Sequence, residues 1–370
     1  MQVPFVDLKR QYTPLMDQIQ ASVAQAIASC QFIGGQDLEQ FCQELSSWWG
    51  VQGVVGVSSA TLGLYAALKS KGIGPGDEVL TTVHTAIPTS EAISMTGARV
   101  VFCDIDPRTY NLDPGQAELR ITPRSRAIIP VHLYGQPADM FRIMDLAREH
   151  ELYVLEDCAQ AQGARYQGQL VGTIGDAAVL SFFPSKSLGG IGDGGAVTAK
   201  DPELLQKIRM FCNHGRKQKY WHEFEGTNSR LDNIKAAMLK VTLPWLEHWN
   251  SQRRQAAQWY LQELQQVQEI VLPACNEDCE HVYHLFVILA RERDQLAEHL
   301  SQRGIRSGLH YPYALNQLPA YAYLNQGTGC FPVAEDVCAR VLSLPMFPGI
   351  TREEVQEVCR AIKDFYRTQA

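Results

Sequence analysis

The sequence predicts an α/β protein with a mainly parallel large sheet, followed by a smaller α+β domain. Over the first two-thirds of the chain, short runs rich in β-branched residues alternate with helical patterns. This alternation is typical of βαβ units, which build parallel sheets covered by helices on both faces. After about residue 230 the alternation stops, and a long helical pattern, two strand-like runs and a final amphipathic helix follow. No low-complexity linker separates the two parts, so we expect them to pack closely.

Six runs in the first part predict strands, because each combines branched apolar residues with turn-forming residues at its ends. Hydrophobic periodicity predicts three helices among them. The predicted strands are 54–57, 78–83, 99–104, 127–133, 152–156 and 178–183, and the helices are 61–71, 87–96 and 140–150. Ligands of such sheets collect at the carboxyl ends of the strands. The residues that directly follow the strands are therefore the first candidates for a functional site.

The pattern after residue 230 predicts a helix over 231–264 that breaks once, at Pro244, because proline disrupts a helix interior. Strand-like runs follow at 281–289 and 306–310, and the last helix is predicted over Arg352–Arg367. We therefore predict a large domain at residues 1–245, including the N-terminal segment, and a small domain at residues 246–370.

Composition excludes several classes of partner. The 370 residues are 45% apolar and 20% charged, and the net charge of −7 disfavours non-specific binding to nucleic acid. No apolar run reaches the length of a membrane span, and the N-terminus lacks the apolar core of a secretory signal. The ten cysteines are scattered singly, as is typical of reduced thiols. We expect a cytoplasmic globular protein that binds neither membranes nor nucleic acid.

Lys186 is the strongest candidate for chemistry. It comes just after a predicted buried strand and enters a loop with five glycines between residues 189 and 195. A lysine held at a strand end can be partly desolvated, which lowers its pKa and lets the neutral amine attack a carbonyl. The alternative interpretation is an ordinary solvated loop lysine.

Two carboxylates, Glu156 and Asp157, end a very apolar predicted strand. Because side chains alternate along a strand, the two point to opposite faces, and one of them can reach the ligand crevice. A carboxylate there could pair with a pyridinium nitrogen and keep that ring protonated as an electron sink. The alternative is a helix N-cap aspartate.

The segment from Ser58 to Thr61 carries a strand into a helix start with small and hydroxylated residues. Free N–H groups at a helix N-terminus form a natural phosphate cradle, although the same residues also suit plain capping. An amine, an acid and an anion cradle at three strand ends of one sheet are together what pyridoxal phosphate requires.

Two glycine-rich segments, 72–77 and 190–195, superficially resemble dinucleotide fingerprints. The first contains a proline and ends a predicted helix, and the second is not followed by an acidic residue that closes a compact βαβ unit. We therefore expect no nicotinamide site.

Cysteines and histidines at 275, 279, 281 and 284 suggest zinc, but their spacing fits no common zinc module, and we expect no metal. The cluster at 214–222 mixes basic and aromatic residues. It is either a solvated loop or a grip for a nucleotide diphosphate.

Nine ordered segments together carry a family resemblance over nearly the whole chain. They are 5–12, 74–79, 104–106, 121–124, 130–137, 156–160, 181–186, 226–232 and 310–312. In these segments the chain resembles the sugar-nucleotide aminotransferases of the DegT/DnrJ/EryC1/StrS group, which are fold type I pyridoxal-phosphate enzymes with an aspartate aminotransferase-like fold.

The resemblance implies a cofactor site. Lys186 would form the internal aldimine with pyridoxal 5′-phosphate and shuttle protons. Asp157 would hold the pyridinium nitrogen, and Gln160 would lie against the ring. Where many members carry an aromatic residue over the cofactor ring, this chain has the segment 84–86, and His84 would stack on the ring instead. The residues implied at the phosphate are Ala60, through its N–H, Thr61 and Ser181.

The resemblance also implies a substrate site and a homodimer. Asn228 matches an asparagine that reaches the phosphate from the neighbouring subunit, so the two active sites of a dimer would be shared. The residues implied at the sugar nucleotide are Tyr220, Arg230, His310 and Tyr311. Beyond these, Asn316 and Leu318 replace a histidine and a glutamine common in the family.

The implied reaction is amino transfer from L-glutamate to a UDP- or dTDP-linked keto-sugar, with pyridoxamine phosphate as the intermediate cofactor form. The context of Lys186 and of residues 229–232 favours a 3-keto over a 4-keto sugar. Two alternatives remain. One is a sugar dehydratase of the same family, whose members carry histidine in place of Lys186. The other is a non-catalytic regulatory protein that binds the cofactor.

Overall fold

A computed structural model describes residues 1–368. The strands are β1 (Val55–Val57), β2 (Glu78–Thr82), β3 (Arg99–Cys103), β4 (Ser125–Ile129), β5 (Tyr153–Asp157), β6 (Arg165–Tyr166), β7 (Gln169–Leu170), β8 (Ala177–Ser181), β9 (Gly195–Ala199), β10 (Arg216–Gln218), β11 (Trp221–His222), β12 (Ile270–Val271), β13 (Cys279–Glu280), β14 (Phe286–Ala290) and β15 (Val341–Leu344).

Helices surround these strands. They are α1 (Leu8–Tyr12), α2 (Met16–Ala28), α3 (Gln36–Trp49), α4 (Ala60–Lys71), α5 (Pro88–Thr96), α6 (Pro114–Glu118), α7 (Met140–Glu149), α8 (Pro202–Phe211), α9 (Asn233–Thr242), α10 (Leu246–Leu264), α11 (Arg293–Gln302), α12 (Pro332–Arg340) and α13 (Arg352–Arg367). None of the described helices is long and apolar enough to cross a membrane.

The large sheet has seven strands in the order β1-β9-β8-β5-β4-β2-β3. Strand β9 is antiparallel to both of its neighbours, and the other six strands therefore all run in one direction. Strands β2, β5, β8 and β9 are buried along their whole length, as expected for a sheet covered on both faces. The predicted fold class, a mainly parallel sheet of the fold type I kind, is confirmed.

The carboxyl ends of the six parallel strands share one edge of this sheet. Strand β5 ends at Asp157, and its neighbour β8 ends at Ser181. Helix α4 begins at that edge directly after β1, where Ser59 caps its first turn by accepting a hydrogen bond from Leu62 N at 3.2 Å. Gly72 ends the same helix in the left-handed conformation that favours glycine.

A second, antiparallel sheet has the order β12-β14-β15. Apolar side chains of α10, α11 and α13 pack with it into a core of its own. The first residues of the chain join this core, because Val3 is fully buried in it and pairs with Ile305. The predicted division at residues 245 and 246 falls at the start of α10.

Several elements differ from those predicted after residue 190. The strand expected over 281–289 begins only at Phe286, and the run at 306–310 has just one bridge, between Gly308 and Ser343. Strands β9 and β15 were not predicted, since β9 follows a glycine-rich loop and β15 directly follows a helix. The expected helix break is confirmed, because a 3₁₀ turn around Pro244 separates α9 from α10.

Candidate active site

Lys186 lies in the loop that follows β8, where its N–H donates to the carbonyl of Phe183 at 2.9 Å. Burial lowers the pKa of Lys186 to about 8, although the nearby negative charge of Asp157 opposes this effect. At neutral pH about one-tenth of such a group is unprotonated, far more than for a solvated lysine. The amine is therefore suited to attack a carbonyl carbon.

Asp157 ends β5, next to the strand that leads to Lys186. Its carboxylate accepts a hydrogen bond from Thr89 Oγ1 at 2.8 Å and one from Ala159 N at 3.1 Å. The Asp157 side chain is nearly buried, and the remaining lone pairs of its oxygens can accept a further donor. A protonated ring nitrogen is a donor of the required kind.

Glu156 points to the opposite face of the sheet, as strand alternation predicts. It faces His132 Nε2 at 3.0 Å and accepts from the N–H groups of Gly172, Ile174 and Gly175. Burial opposes its charge, but the His132 hydrogen bond and the main-chain donors outweigh burial and hold the pKa of Glu156 below its ordinary value. Glu156 is thus an internal anchor of this strand end.

His132, Glu156 and Cys158 are the one group of potential metal ligands that come together within residues 1–368. Their ligand atoms are already engaged, because His132 Nδ1 accepts from Ala138 N at 3.0 Å and Nε2 faces Glu156. The thiol of Cys158 is buried, which raises its pKa well above the ordinary value. This donor set fits a hydrogen-bonded core better than a metal ion.

The start of α4 meets Ser181 across two neighbouring strands. In the strand register Ser181 lies opposite Gly195, and Gly195 lies opposite Val57, the last residue of β1. A Cβ at Gly195 would come within 2.9 Å of Ala60 N, so only glycine permits this close approach. The N–H groups and dipole of a helix N-terminus favour a phosphate here. The residues present therefore fit the phosphate of pyridoxal phosphate.

Gln160 links two tyrosines beside Asp157. Its Oε1 accepts from the N–H of Tyr134 at 2.7 Å, and its Nε2 donates to the hydroxyl of Tyr311 at 3.1 Å. Burial raises the pKa of Tyr311 to about 12, so its hydroxyl is neutral at physiological pH. The structure therefore joins two of the predicted site residues, Gln160 and Tyr311, by a direct hydrogen bond.

His310 brings a residue from the second half of the chain to the same place. Its Nδ1 lies 2.9 Å from Ser343 Oγ, and its carbonyl accepts from the hydroxyl of Tyr134. Burial, together with the nearby charge of Lys186, lowers the pKa of His310 to about 4. The charge of Lys186 is therefore close enough to interact with both Asp157 and His310.

His84 is fully buried, and protein groups engage both of its ring nitrogens. Its Nε2 lies 2.7 Å from the hydroxyl of Tyr134, and its Nδ1 lies 3.2 Å from Cys338 Sγ. Since the Tyr134 hydrogen is donated to the carbonyl of His310, Nε2 of His84 must carry its own hydrogen. Burial lowers the pKa of His84 to about 4, so the ring is neutral. Because His84 is 0% exposed, neither face of its ring is open to a ligand, which is contrary to the expected stacking of His84 on the cofactor.

Three predicted site residues lie apart from this cluster. Tyr220 is 84% exposed between β10 and β11, and the side chain of Asn228 is also exposed. Arg230 donates to Asn213 Oδ1 at 3.1 Å. Within residues 1–368, no hydrogen bond or ring contact connects these three to Lys186, Asp157 or Gln160.

Four polar residues of the cluster, Thr89, Tyr134, Gln162 and His284, were not selected as site residues from the sequence. His284 is buried, its Nδ1 has no partner within the described residues, and burial together with the charge of Lys186 lowers its pKa. Thr89 opens a helix after a predicted strand, which is a signal that could have found it. Gln162 and Tyr134 carry no comparable signal.

Comparison with known proteins gives this geometry a context. The model of the DegT/DnrJ/EryC1/StrS aminotransferase family matches residues 15–363. The chain is 44% identical to a UDP-N-acetyl-3-dehydro-alpha-D-glucosamine 3-aminotransferase of Acidithiobacillus ferrooxidans, over 98% of this chain and 97% of the relative. It is 43% identical to a dTDP-3-amino-3,4,6-trideoxy-alpha-D-glucose transaminase of Streptomyces venezuelae, over 98% and 96%. It is also 42% identical to a pleiotropic regulatory protein of Geobacillus stearothermophilus, over 99% of both.

Solved structures agree. The chain superposes on DesV of S. venezuelae, solved in complex with a ketimine intermediate, with a TM-score of 0.96, 43% identity and 98% coverage of both chains. The aminotransferases of this family are pyridoxal-phosphate-dependent enzymes. The expected family and enzyme class are thus confirmed: this chain is an aminotransferase that belongs to the DegT/DnrJ/EryC1/StrS family.

Proposed function

We propose that the enzyme transfers an amino group from L-glutamate to a nucleotide-linked keto-sugar, with pyridoxal 5′-phosphate as its cofactor. The observation that carries this proposal is the pairing of a desolvated amine, Lys186, with a carboxylate, Asp157, at the ends of two neighbouring strands. Bound pyridoxal phosphate supplies a carbonyl and an electron sink to this pair.

Each side chain of the cluster has a distinct task in this proposal. Lys186 would hold the cofactor covalently through its aldehyde, whose oxygen leaves as water, and its amine, once displaced by the substrate's amine, would carry a proton between substrate and cofactor. Asp157 accepts the hydrogen of the ring nitrogen. The N–H of Ala60, together with Thr61 and Ser181, holds the phosphate at the start of α4. Gln160 would lie beside the ring.

We further propose that the acceptor is a 3-keto sugar. The relatives from A. ferrooxidans and S. venezuelae both carry names that place the amino group at position 3, one on a UDP sugar and one on a dTDP sugar. His310, Tyr311, Tyr220 and Arg230 would contact the sugar nucleotide. Mass spectrometry of products from matched 3-keto and 4-keto sugar nucleotides would test this, and preferential amination of the 4-keto compounds would contradict it.

A homodimer completes the proposed site. Asn228 and Tyr220 have exposed side chains and, within residues 1–368, no hydrogen bond or ring contact with Lys186, Asp157 or Gln160, so both are available to a partner's site. We place the reaction in the cytoplasm, which suits the ten free cysteines of this chain. Light scattering should give a dimer, and mixing inactive Lys186→Ala with inactive Asn228→Ala subunits should restore part of the activity. Failure to complement would argue against shared sites.

The central experiment replaces Lys186 by Ala. The variant should lose the visible chromophore that borohydride reduces, and turnover should fall by several orders of magnitude because the nucleophile is gone. Lys200→Ala is the matched control, since Lys200 follows the neighbouring strand β9 and donates to the carbonyl of Ile174 at 2.8 Å. A Lys186→Ala enzyme that retained both chromophore and turnover would refute the assignment.

One relative is named a regulatory protein, which supports a second candidate function: cofactor binding without turnover. Adding L-glutamate to the purified protein discriminates between the two. An aminotransferase should bleach the cofactor chromophore and release 2-oxoglutarate, whereas a binding protein should leave the spectrum unchanged. The dehydratase alternative is disfavoured because Lys186 occupies the position that carries histidine in those enzymes.

A further inference from the structure

The side chain of Gln162 hydrogen-bonds to both ends of the loop that carries Lys186, which we call the Lys186 loop (residues 182–188). Its Nε2 donates to the carbonyl of Ser181 at 2.6 Å, and its Oε1 accepts from the N–H of Leu188 at 3.1 Å. The side chain is 1% exposed, so water cannot replace these bonds. Ser181 ends β8 and Leu188 lies two residues beyond Lys186, so one amide group closes the loop that carries the lysine.

The main chain of Gln162 is itself fixed from the other side. Its carbonyl accepts from Asn250 Nδ2 of helix α10 at 2.8 Å. The next residue, Gly163, has a φ of +90°, and a Cβ there would come within 2.6 Å of the same Asn250 nitrogen. The amide of Gln162 is therefore held on a rigid support, as a positioning group must be.

A second contact holds the far side of the loop. The hydroxyl of Tyr12 donates to the carbonyl of Gly189 at 3.0 Å. The loop also closes on itself, because the N–H of Gly190 donates to the carbonyl of Phe182 at 2.8 Å. Lys186 thus projects from a loop that is held by hydrogen bonds at Ser181, Leu188 and Gly189, which leaves its main chain little freedom to shift.

We propose that Gln162 is a positioning residue for the amino-transfer reaction: its amide holds the two ends of the Lys186 loop together and thereby keeps the lysine amine in place beside Asp157. This inference rests on the proposed role of Lys186. It adds a residue outside the cofactor-contacting set, which acts only through the main chain of the loop.

The groups around Lys186 determine how its pKa would change if the Lys186 loop became more mobile. Asp157 faces it from β5, and His284 and His310 face it from the second half of the chain. Burial lowers the pKa of both histidines, so they are neutral near physiological pH, and Asp157 supplies the one opposing charge. Burial is the largest contribution to the shifted pKa of Lys186 and lowers it to about 8. Access to water would therefore move this pKa upward, towards its ordinary value of 10.5.

The test is Gln162→Met, which keeps the length of the side chain and removes its hydrogen bonds. Competitive labelling of the cofactor-free protein with acetic anhydride over a range of pH, read by mass spectrometry of the Lys186 peptide, reports the lysine pKa without any need for activity. We expect an upward shift of about one pH unit or more in Gln162→Met, which at neutral pH lowers the reactive fraction about tenfold. An unshifted profile in the folded variant would overturn the proposal.

Two further variants distinguish a positioning role of Gln162 from a general loss of stability. Glu78→Leu removes three hydrogen bonds of a buried side chain, to Thr122 and Arg124, at the amino-terminal end of β2. It should lower thermal stability and leave the Lys186 profile unchanged; an equal shift in this control would also overturn the proposal. Tyr12→Phe loosens only the Gly189 contact and should give a smaller shift, so it carries the test if Gln162→Met does not fold.

The same labelling experiment also tests the proposed function of Lys186. In the wild-type protein, bound pyridoxal phosphate should protect Lys186 from acetylation. Labelling of Lys186 that is unaffected by the cofactor would refute its role as the covalent attachment site, whatever Gln162→Met does. Protection in the wild type combined with an unshifted profile in Gln162→Met would refute the positioning role alone.

Discussion

Thr89→Val tests how Asp157 is held in place. Thr89 is 1% exposed, and its Oγ1 donates to Asp157 Oδ2 at 2.8 Å. Valine keeps the branched shape of threonine and removes the donor. One carboxylate oxygen then loses its hydrogen bond, while the other keeps the N–H of Ala159. The substitution therefore removes one directional constraint on Asp157, together with the acceptor for the buried Thr85 hydroxyl, whose Oγ1 lies 3.3 Å from Thr89 Oγ1.

The magnitude follows from the charge of the acceptor. A buried hydrogen bond to a charged group contributes about 1.5–3 kcal/mol, against about 1 kcal/mol for a neutral pair. Thr89→Val should therefore lower the unfolding free energy of the cofactor-free protein by about 2 kcal/mol. In an Asp157→Asn background the acceptor is neutral, and the same substitution should cost about 1 kcal/mol.

Urea unfolding of the four proteins of this double-mutant cycle gives the coupling energy directly. Thr81→Val is the matched control, because Thr81 is also buried in the sheet but donates to a neutral carbonyl, that of Ile129, at 2.9 Å. It should cost about 1 kcal/mol in both backgrounds. Fluorescence titration should also show roughly tenfold weaker pyridoxal phosphate binding in Thr89→Val, a loss of about 1.4 kcal/mol. Equal costs of Thr89→Val in both backgrounds would refute this reasoning.

Two other predictions concern stability. Burial lowers the pKa of His84 to about 4, so below its ordinary value of 6.5 the unfolded chain binds a proton that the folded protein does not. The unfolding free energy should therefore decrease as the pH falls from 6.5 to 4, and this group should contribute at most about 3 kcal/mol of that decrease. In His84→Gln the decrease should be less steep. Unfolding free energies from urea titrations that depend on pH identically in the two proteins would contradict this. Gly172→Ala should cost at least about 3 kcal/mol, because a Cβ at this φ of +88° would lie 2.4 Å from Trp49 Cζ2. Gly168→Ala, at a φ of +76° with nothing within 4 Å, should cost only the 1 to 2 kcal/mol or so of backbone strain, and equal calorimetric losses would rule out the clash.

Local patterns predicted those parts of the fold that depend on local geometry. The opposite directions of Glu156 and Asp157 follow from the two-residue period of a strand, and the structure has them on opposite faces. The helix break at Pro244 follows from the chemistry of a single residue. Strand β9 was missed because its five residues follow a glycine-rich loop, and its pairing with β1 and β8 is a tertiary contact.

Those site residues that follow the ends of strands could be predicted from the sequence. Those that join the site through tertiary packing could not. Lys186 and Asp157 each follow a strand, so their meeting follows from the order of a parallel sheet. Thr89 and Gln162 act through partners 68 and 19 residues away along the chain, and no local period encodes such pairs. The same holds for Tyr134, which accepts a hydrogen bond from His84 and donates to the carbonyl of His310.

A few groups determine the protonation state of the Lys186 amine. Burial alone would make Lys186 a weaker base than it is, and the carboxylate of Asp157 limits that effect by favouring the protonated amine. The two histidines that face Lys186, His284 and His310, are held neutral by burial, so neither competes with Lys186 for the charge of Asp157. Proton exchange near neutral pH is therefore concentrated on the amine, and in our proposal its acidity depends on how firmly Gln162 and Tyr12 hold the loop that carries it.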